Sequence, residues 1–412
     1  MSTQQAALSR GRTSLVLATL FLGSYVLGSA ELLMVGLLNL VSTDLQISVP
    51  AAGELVTAYA LGMSIGGPLL TALTIKLNKR VVLVGAVVLF ALGNLVPVLV
   101  DSYGLFLAAR ALTGSLNGLF IAVAFVAGIS IVPPERAGRA ISTVFSGFAV
   151  SAATGAPLGT LLGQSLGWRN SFVAVVVLAV LTAVATTVLL PSLPSASGGG
   201  GAGNQVRYAF APRVLAVLFL GFLAFASLYT ALTYIVPYLE RVTGISGALL
   251  SVFLLVYGVA TAVGSFGGGR FADERSGRTM LIGSIGAAAS LLVLFLGGAI
   301  AFVAAIALLS LGLFALGMVP AFQYRVISLA GPGGQLASSL PASAANAGIA
   351  VGSTIGGVAI VGLGDSGAVA VGLIIAAATI PVAWAAGLLK PPAVEEPAGQ
   401  PAAVEPTAGT AS

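Results

Sequence analysis

Residues 14–41 read SLVLATLFLGSYVLGSAELLMVGLLNLV, a nearly unbroken apolar run with a single carboxylate, Glu31, inside it. About 20 apolar residues are enough for a helix to cross a bilayer, so this run predicts a tilted membrane-spanning helix. A charge at mid-membrane costs roughly 2.5–3.5 kcal/mol on insertion scales, and such a side chain normally faces a bundle interior or a wet cavity. The other charge deep within an apolar run is Arg110. We therefore expect these two residues to carry function.

Composition places the chain among polytopic membrane proteins. It has 412 residues, of which 58% are hydrophobic and 7% are charged, whereas soluble domains carry about 25% charged residues. The net charge is +5, but Lys and Arg are scattered singly between apolar runs, which argues against nucleic acid as a partner. The chain contains no Cys and no His, so we expect no disulfide, thiol catalysis, metal site or cofactor. Nothing in it resembles a nucleotide loop or a nucleophile with its base, and we expect no enzymatic activity.

Twelve apolar runs follow one another and predict an all-α protein of twelve transmembrane helices. Residues 191–212 contain SASGGGGAGN, the composition of a flexible linker, and divide the chain into two six-span halves. We predict an N-terminal segment 1–13, bundles 14–190 and 213–389 joined by linker 191–212, and a disordered tail 390–412. The predicted spans are 14–41, 51–75, 81–100, 103–132, 139–162, 171–190, 213–239, 248–271, 279–297, 300–329, 337–362 and 367–389.

Basic residues orient these spans. If both termini are cytoplasmic, 14 of the 17 Lys and Arg residues fall at cytoplasmic ends, and only Arg169 and Arg241 fall outside. This asymmetry is the positive-inside rule, and it predicts an inner-membrane protein of bacterial type with both termini inside. The cytoplasmic set is Arg10, Arg12, Lys76, Lys79, Arg80, Arg136, Arg139, Arg207, Arg213, Arg270, Arg275, Arg278, Arg325 and Lys390.

The two halves repeat each other. A shift of 198 residues places Tyr59 on Tyr257 and Gly66 on Gly264, and a shift of 197 places Gly155 on Gly352. Repeated bundles are typical of transporters, whose substrate site lies between the repeats near the midplane. Chance matching among 54 glycines is the alternative.

Several short motifs occur in order on the predicted spans. They are GGPLLTALTIKLNKR (66–80), RALTG (110–114), GAPLGTLLG (155–163), GWRNSF (167–172) and GGGRFADERSGR (267–278). Together they resemble the major facilitator superfamily, and within it the twelve-span drug:proton antiporters that include bacterial chloramphenicol and arabinose efflux proteins. The loop at 66–80 lacks the Asp of the family pattern, and its counterpart at 267–278 carries one extra residue. The resemblance implies two pseudo-symmetric six-helix bundles that work by alternating access.

Small residues on the fifth and eleventh spans predict close helix packing. Glycines four residues apart form a flat stripe, which lets backbones approach in lipid, and Pro157 should bend the fifth span. Such a helix suits rocking against the other half; tight packing without motion is the alternative. The residues of this packing and rocking set are Gly114, Gly155, Pro157, Gly159, Gly163, Gly348, Gly352 and Gly356.

Charged residues at the cytoplasmic ends of the second, third, eighth and ninth spans are candidates for a charge latch that holds the halves in one state. A solvated loop that only sets topology is the alternative. The latch candidates are Lys79, Arg80, Gly269, Asp273, Gly277 and Arg278.

Glu31 and Arg110 are candidates for proton coupling. Counted along their helices at 1.5 Å per residue, they lie roughly 15 Å and 10 Å below the outer surface, so they can meet or share a wet cavity. Burial favours the protonated form of a carboxyl group, and a nearby cation favours the ionised form. Opening or closing the cavity then decides whether Glu31 holds a proton. The alternative is a static buried ion pair that fixes helix packing.

The substrate cavity is predicted to be sparsely polar, which favours a small amphiphilic compound, and the resemblance implies a drug or antibiotic similar to chloramphenicol. We therefore expect a monomeric secondary exporter that exchanges protons for a drug across the lipid bilayer. A metabolite or sugar exporter of the same fold and a membrane receptor without transport are the alternatives. Candidate lining residues, each of which could instead serve helix packing, are Tyr25, Asn39, Asn117, Tyr229, Tyr234, Tyr257, Gln323 and Asn346.

Overall fold

The computed structural model describes residues 10–133, 136–193, 207–269, 272–331, 337–338 and 340–391, without the side chains of residues 10, 137, 138 and 272–274. Within these ranges the protein is helical and has no β-strand. Most of linker 191–212 and of the tail 390–412 lies outside the described residues, so both remain predictions.

Twelve helices are long and apolar enough to cross a membrane, which confirms the number and order of the predicted spans. Several begin or end a few residues away from the predicted limits; α1, for example, begins at Arg10. The helices are α1 Arg10–Asp44, α2 Val49–Thr74, α3 Lys79–Leu99, α4 Tyr103–Ser130, α5 Ala137–Leu166, α6 Trp168–Leu189, α7 Pro212–Arg241, α8 Ala248–Gly269, α9 Ala272–Gly297, α10 Ala301–Ala330, α11 Leu340–Leu363 and α12 Gly367–Leu388.

Some spans are interrupted within the bundle. Helix α2 contains a π-helical turn at Gly62–Gly66, and α10 changes direction at Met318, just before Pro320. Helix α7 stops at Leu232 and resumes at Ile235, because Pro237 can neither donate to the carbonyl four residues earlier nor fit against it. Pro157, by contrast, lies inside α5, which stays one helix.

The halves pack alike. Gly114 of α4 lies against the backbone of Tyr59 in α2, and Gly312 of α10 lies against the backbone of Tyr257 in α8. Both members of the second pair follow those of the first by 198 residues. The internal repeat seen in the sequence is therefore also a repeat of helix contacts, with α1 on α5 matched by α7 on α11.

The two halves meet through α2 with α11, α5 with α8, and α1 with α7 and α8. We call the end of the bundle that holds the start of α1 and the end of α12 the terminal end, and the opposite end the far end. At the far end, Leu38, Ala52, Tyr234 and Ala368 form one buried apolar cluster that includes both halves. The described apolar cluster at the terminal end of α7, α9, α10 and α12 contains residues of the second half alone. One apolar cluster that joins the halves therefore lies at the far end.

The glycine stripes pack within their own halves. Side chains added at Gly155, Gly159 and Gly163 would overlap Ser29, Leu33 and Leu37 of α1. The expectation that this stripe faces the other half is wrong, because α5 meets α8 through a different face, at Ala152 and Ala153. In the same way, Gly348, Gly352 and Gly356 of α11 lie against α7 at Phe222, Ala226 and Thr230.

Candidate functional site

Glu31 lies on the bundle-facing side of α1 and is 9% exposed. Its carboxylate accepts a hydrogen bond from the side-chain nitrogen of Asn117 in α4, at 3.2 Å. Its neighbours Ala30 and Leu33 are buried apolar residues. The carboxyl group therefore lies among packed helices, and its hydrogen bond to Asn117 is the direct polar contact described for it.

Arg110 of α4 is 2% exposed. Its guanidinium donates from Nε to the carbonyl of Leu55 (3.2 Å) and from Nη1 to the carbonyl of Ala30 (2.9 Å), and it lies 4.1 Å from the ring centroid of Tyr59. Backbone carbonyls and an aromatic face stabilise a buried cation without a full counter-charge. Its Nη2 has no hydrogen-bond partner among the described residues.

Glu31 and Arg110 share a buried region but form no ion pair with each other. Each takes its hydrogen bonds elsewhere, and the charges interact only through the intervening space. A static buried ion pair in direct contact therefore does not describe this structure, and the role of the two residues in proton coupling stays a prediction.

Two tyrosines of the second half complete this region. Tyr229 of α7 and Tyr257 of α8 are buried, at 7% and 9% exposure. The Tyr229 phenol lies within electrostatic range of Glu31 and of Tyr257. Of the candidate lining residues, Asn117 bonds to Glu31, Tyr229 faces it, and Tyr257 lies near Tyr229.

Two other candidates close the far end. The side-chain nitrogen of Asn39 in α1 donates to the carboxylate of Glu240 in α7. The hydroxyl of Tyr234, at the break in α7, donates to the carbonyl of Ser353 in α11 at 2.9 Å. These residues hold helices together rather than line the region around Glu31.

The remaining lining candidates also lie apart from Glu31. The Tyr25 hydroxyl is 3.3 Å from that of Thr154 in α5, and Asn346 donates to Ala342 of its own helix at 3.0 Å. Gln323 is exposed near the terminal end of α10.

The latch candidates have no described contact between the halves. Lys79 donates to the carbonyl of Ile75, and Arg80 to the carbonyl of Thr187 in α6. Gly277 lies against Gly387 of α12, and the Asp273 side chain lies outside the described residues. Lys79, Arg80 and Gly277 thus make their described contacts within one half, and a latch between halves stays a prediction.

Sequence reasoning did not single out Tyr59, Met63 or Glu240. Tyr59 lies under Arg110, and Met63 lies 3.7 Å from the Asn117 nitrogen. The available signal for Tyr59 was its repeat in Tyr257. No sequence pattern pairs Glu240 with Asn39.

Comparison with known proteins identifies the family. The model of the Major Facilitator Superfamily matches residues 14–340. The chain belongs to this superfamily. The uncharacterized MFS-type transporter YtbD of Bacillus subtilis is 32% identical over 83% of this chain and 87% of its own length. The inner membrane transport protein YdhP of Escherichia coli K12 is 33% identical over 87% of this chain and 92% of its own length.

Solved structures show the same fold. A bacterial homologue of the human lysosomal transporter Spinster, inward-facing and unoccupied, superposes with a TM-score of 0.75 at 15% identity, covering 92% of this chain and 98% of that one. The superfamily chain described here is therefore a multi-pass membrane transporter of small molecules with two six-helix bundles, and not an enzyme.

Proposed function

We propose that this transporter is a proton-coupled antiporter that exports small amphiphilic drugs by alternating access, with Glu31 as the proton-carrying group. One observation carries the proposal: a carboxylate is buried between the halves, beside an arginine that does not neutralise it by direct contact. A static structural charge would be expected to have a contact partner of opposite sign.

The position of Glu31 supports coupling to the motion of the halves. Its surroundings come from α1 and α4 of the first half and from Tyr229 of the second. When the halves separate on one side, Tyr229 moves relative to Glu31 and water gains access. Burial disfavours the charged form of a carboxyl group and hydration favours it, so such a motion changes the proton affinity of Glu31.

The substrate class rests on the lining and on one relative. The region around Glu31 offers aromatic faces and few polar groups, which suits a compound recognised by shape and apolar contact. A chloramphenicol resistance protein of Streptomyces lividans is 31% identical over 63% of this chain. Export of sugars or other metabolites is the second candidate, because a probable sugar efflux transporter of Helicobacter pylori is 27% identical over 83% of this chain.

We further propose that the terminal end is cytoplasmic, that the transporter works as a monomer, and that 191–212 links two separately moving bundles. The excess of Lys and Arg at the terminal end supports the orientation. With the far end held by Asn39 and Glu240, the conformation would then be one that opens towards the cytoplasm.

The test is to impose a pH gradient on proteoliposomes and measure the efflux of antibiotics, dyes and sugars in turn. Uphill movement of chloramphenicol-like compounds, abolished by collapsing the gradient, is the expected result. Uphill movement of sugars alone would favour the second candidate, and movement that ignores the gradient would contradict proton coupling.

A further inference from the structure

Asn117 is the described side chain that bonds directly to Glu31. It is fully buried on α4, two turns after Arg110. Its Nδ2 donates to Oε2 of Glu31 at 3.2 Å and lies 3.7 Å from Sδ of Met63. Its amide oxygen Oδ1 is buried and has no hydrogen-bond partner among the described residues.

An unpaired buried amide oxygen costs free energy, so a state of the site in which it is paired is expected. An ionised carboxylate can only accept hydrogen bonds, whereas a protonated carboxyl group has one O–H to donate. The two ends of an amide match these two forms. Nδ2 suits ionised Glu31, and Oδ1 suits protonated Glu31.

We propose that Asn117 is a positioning residue for proton coupling rather than a substrate contact. It donates from Nδ2 to ionised Glu31 and, with the amide turned over, accepts at Oδ1 from the protonated acid. The inference rests on the proposed role of Glu31 as the proton carrier. One uncharged side chain then pairs with Glu31 in both protonation states.

Other charged or titratable groups also face Glu31. Arg110 from α4 is bonded to two backbone carbonyls, and Tyr59 from α2 donates to the carbonyl of Leu27 at 3.2 Å. Tyr229 from α7 lies within electrostatic range of Glu31. From α5, Gly155 and Gly159 pack on this part of α1, and neither titrates. Within this set, Asn117 is the described group that already bonds to Glu31 and also has a buried acceptor without a partner.

Difference infrared spectroscopy against pH reads the carboxyl group directly. In the detergent-solubilised full chain, the carbonyl band that is absent from Glu31→Gln belongs to protonated Glu31. In Asn117→Leu, a similar-sized variant without polar atoms, this band should move to higher frequency because it loses its hydrogen bond. Its titration midpoint should move towards higher pH by about one unit, because both forms lose a hydrogen bond and the bond to the charged form is the stronger.

Two further variants and a control sharpen the test. Asn117→Gln keeps an amide and should bring the midpoint back towards the wild-type value, and Asn117→Ala, which also lacks polar side-chain atoms and is small enough to fold if the leucine variant does not, should shift it as Leu does. Asn94→Leu removes another buried asparagine of the first half, which bonds only to Phe90 of its own helix, and should leave the midpoint unchanged.

A folded Asn117→Leu or Asn117→Ala protein with the wild-type band and midpoint would overturn the inference, even if wild-type efflux follows a pH gradient. A raised KM with an unmoved midpoint would likewise overturn it and return Asn117 to the substrate cavity. A shifted midpoint in a transporter that ignores the pH gradient would support the contact and contradict only the proposed function.

Discussion

Glu31 of α1 and Tyr229 of α7 occupy equivalent positions in the two halves, 198 residues apart, and the Tyr229 phenol lies within electrostatic range of Glu31. The repeat therefore places a phenol in the second half where the first half has a carboxylate. The half with the carboxylate also holds Arg110, whose equivalent in the second half is Leu308. At these two pairs of positions, both charged residues therefore belong to the first half.

The contact between Asn39 and Glu240 predicts how the far end is held closed. Asn39→Ala removes the donor to the Glu240 carboxylate, and the far end should then open more often. Spin labels at Gln46 and Ser246, on exposed far-end loops of the two halves, should show a larger population at long distances. An unchanged distance distribution would mean that apolar packing alone closes this end.

The close approach of α5 to α1 predicts a packing effect at Gly159. Gly159→Leu places a branched side chain where Leu33 already lies, and overpacking of this kind costs about 1–3 kcal/mol. We expect a lower unfolding temperature in detergent and weaker efflux, with expression less affected than transport.

Gly85→Leu is the matched control, because a side chain added at Gly85 of α3 meets no atom within 4 Å. If the Gly159 variant is as stable and as active as this control, the packing between α5 and α1 has been misjudged.

We expect Arg325 of α10, one of the basic residues predicted to be cytoplasmic, to stabilise the fold as well. Its guanidinium donates to the carbonyls of Ala386, Gly387 and Leu389 at the end of α12, which are groups that a helix end leaves unpaired. Arg325→Ala should lower the free energy of unfolding by about 1.5–3 kcal/mol. Arg325→Lys keeps the charge but not the planar fork, so thermal unfolding should show only partial recovery; full recovery would mean that charge alone matters.

The spans could be predicted because crossing a bilayer demands a length of apolar sequence that few other structures use. Glu31 and Arg110 could be predicted because a lone charge in such a run is costly and therefore conspicuous. The direct partners of Arg110 could not, because the carbonyls of Ala30 and Leu55 exist in every sequence and only the helix positions select them.

The roles of the neutral polar residues also could not be predicted from the sequence. Three asparagines were equal candidates for the cavity, yet Asn39 bonds to Glu240, Asn117 bonds to Glu31, and Asn346 bonds to its own helix. Which face of a helix points to which neighbour depends on its rotation, and a run that is apolar on all sides does not define that rotation. The same ambiguity made the α5 stripe seem to face the other half.

Single cysteines test the proposed orientation, because the chain has no Cys to remove. A cysteine at Ser197, in linker 191–212, should react with an impermeant reagent only from the cytoplasm. A cysteine at Ser366, at the start of α12, should react only from outside. The reverse pattern would invert the assignment of the terminal end.

The most direct test of the central claim is uphill efflux by Glu31→Gln. Glutamine keeps the size and hydrogen-bonding capacity of Glu31, including an acceptor for Asn117, but cannot bind and release a proton. For wild type in proteoliposomes, exchange of one proton across one pH unit should support about a tenfold substrate gradient. Glu31→Gln should still bind substrate and equilibrate it but build no gradient. A folded Glu31→Gln protein that still builds the wild-type gradient would contradict the account.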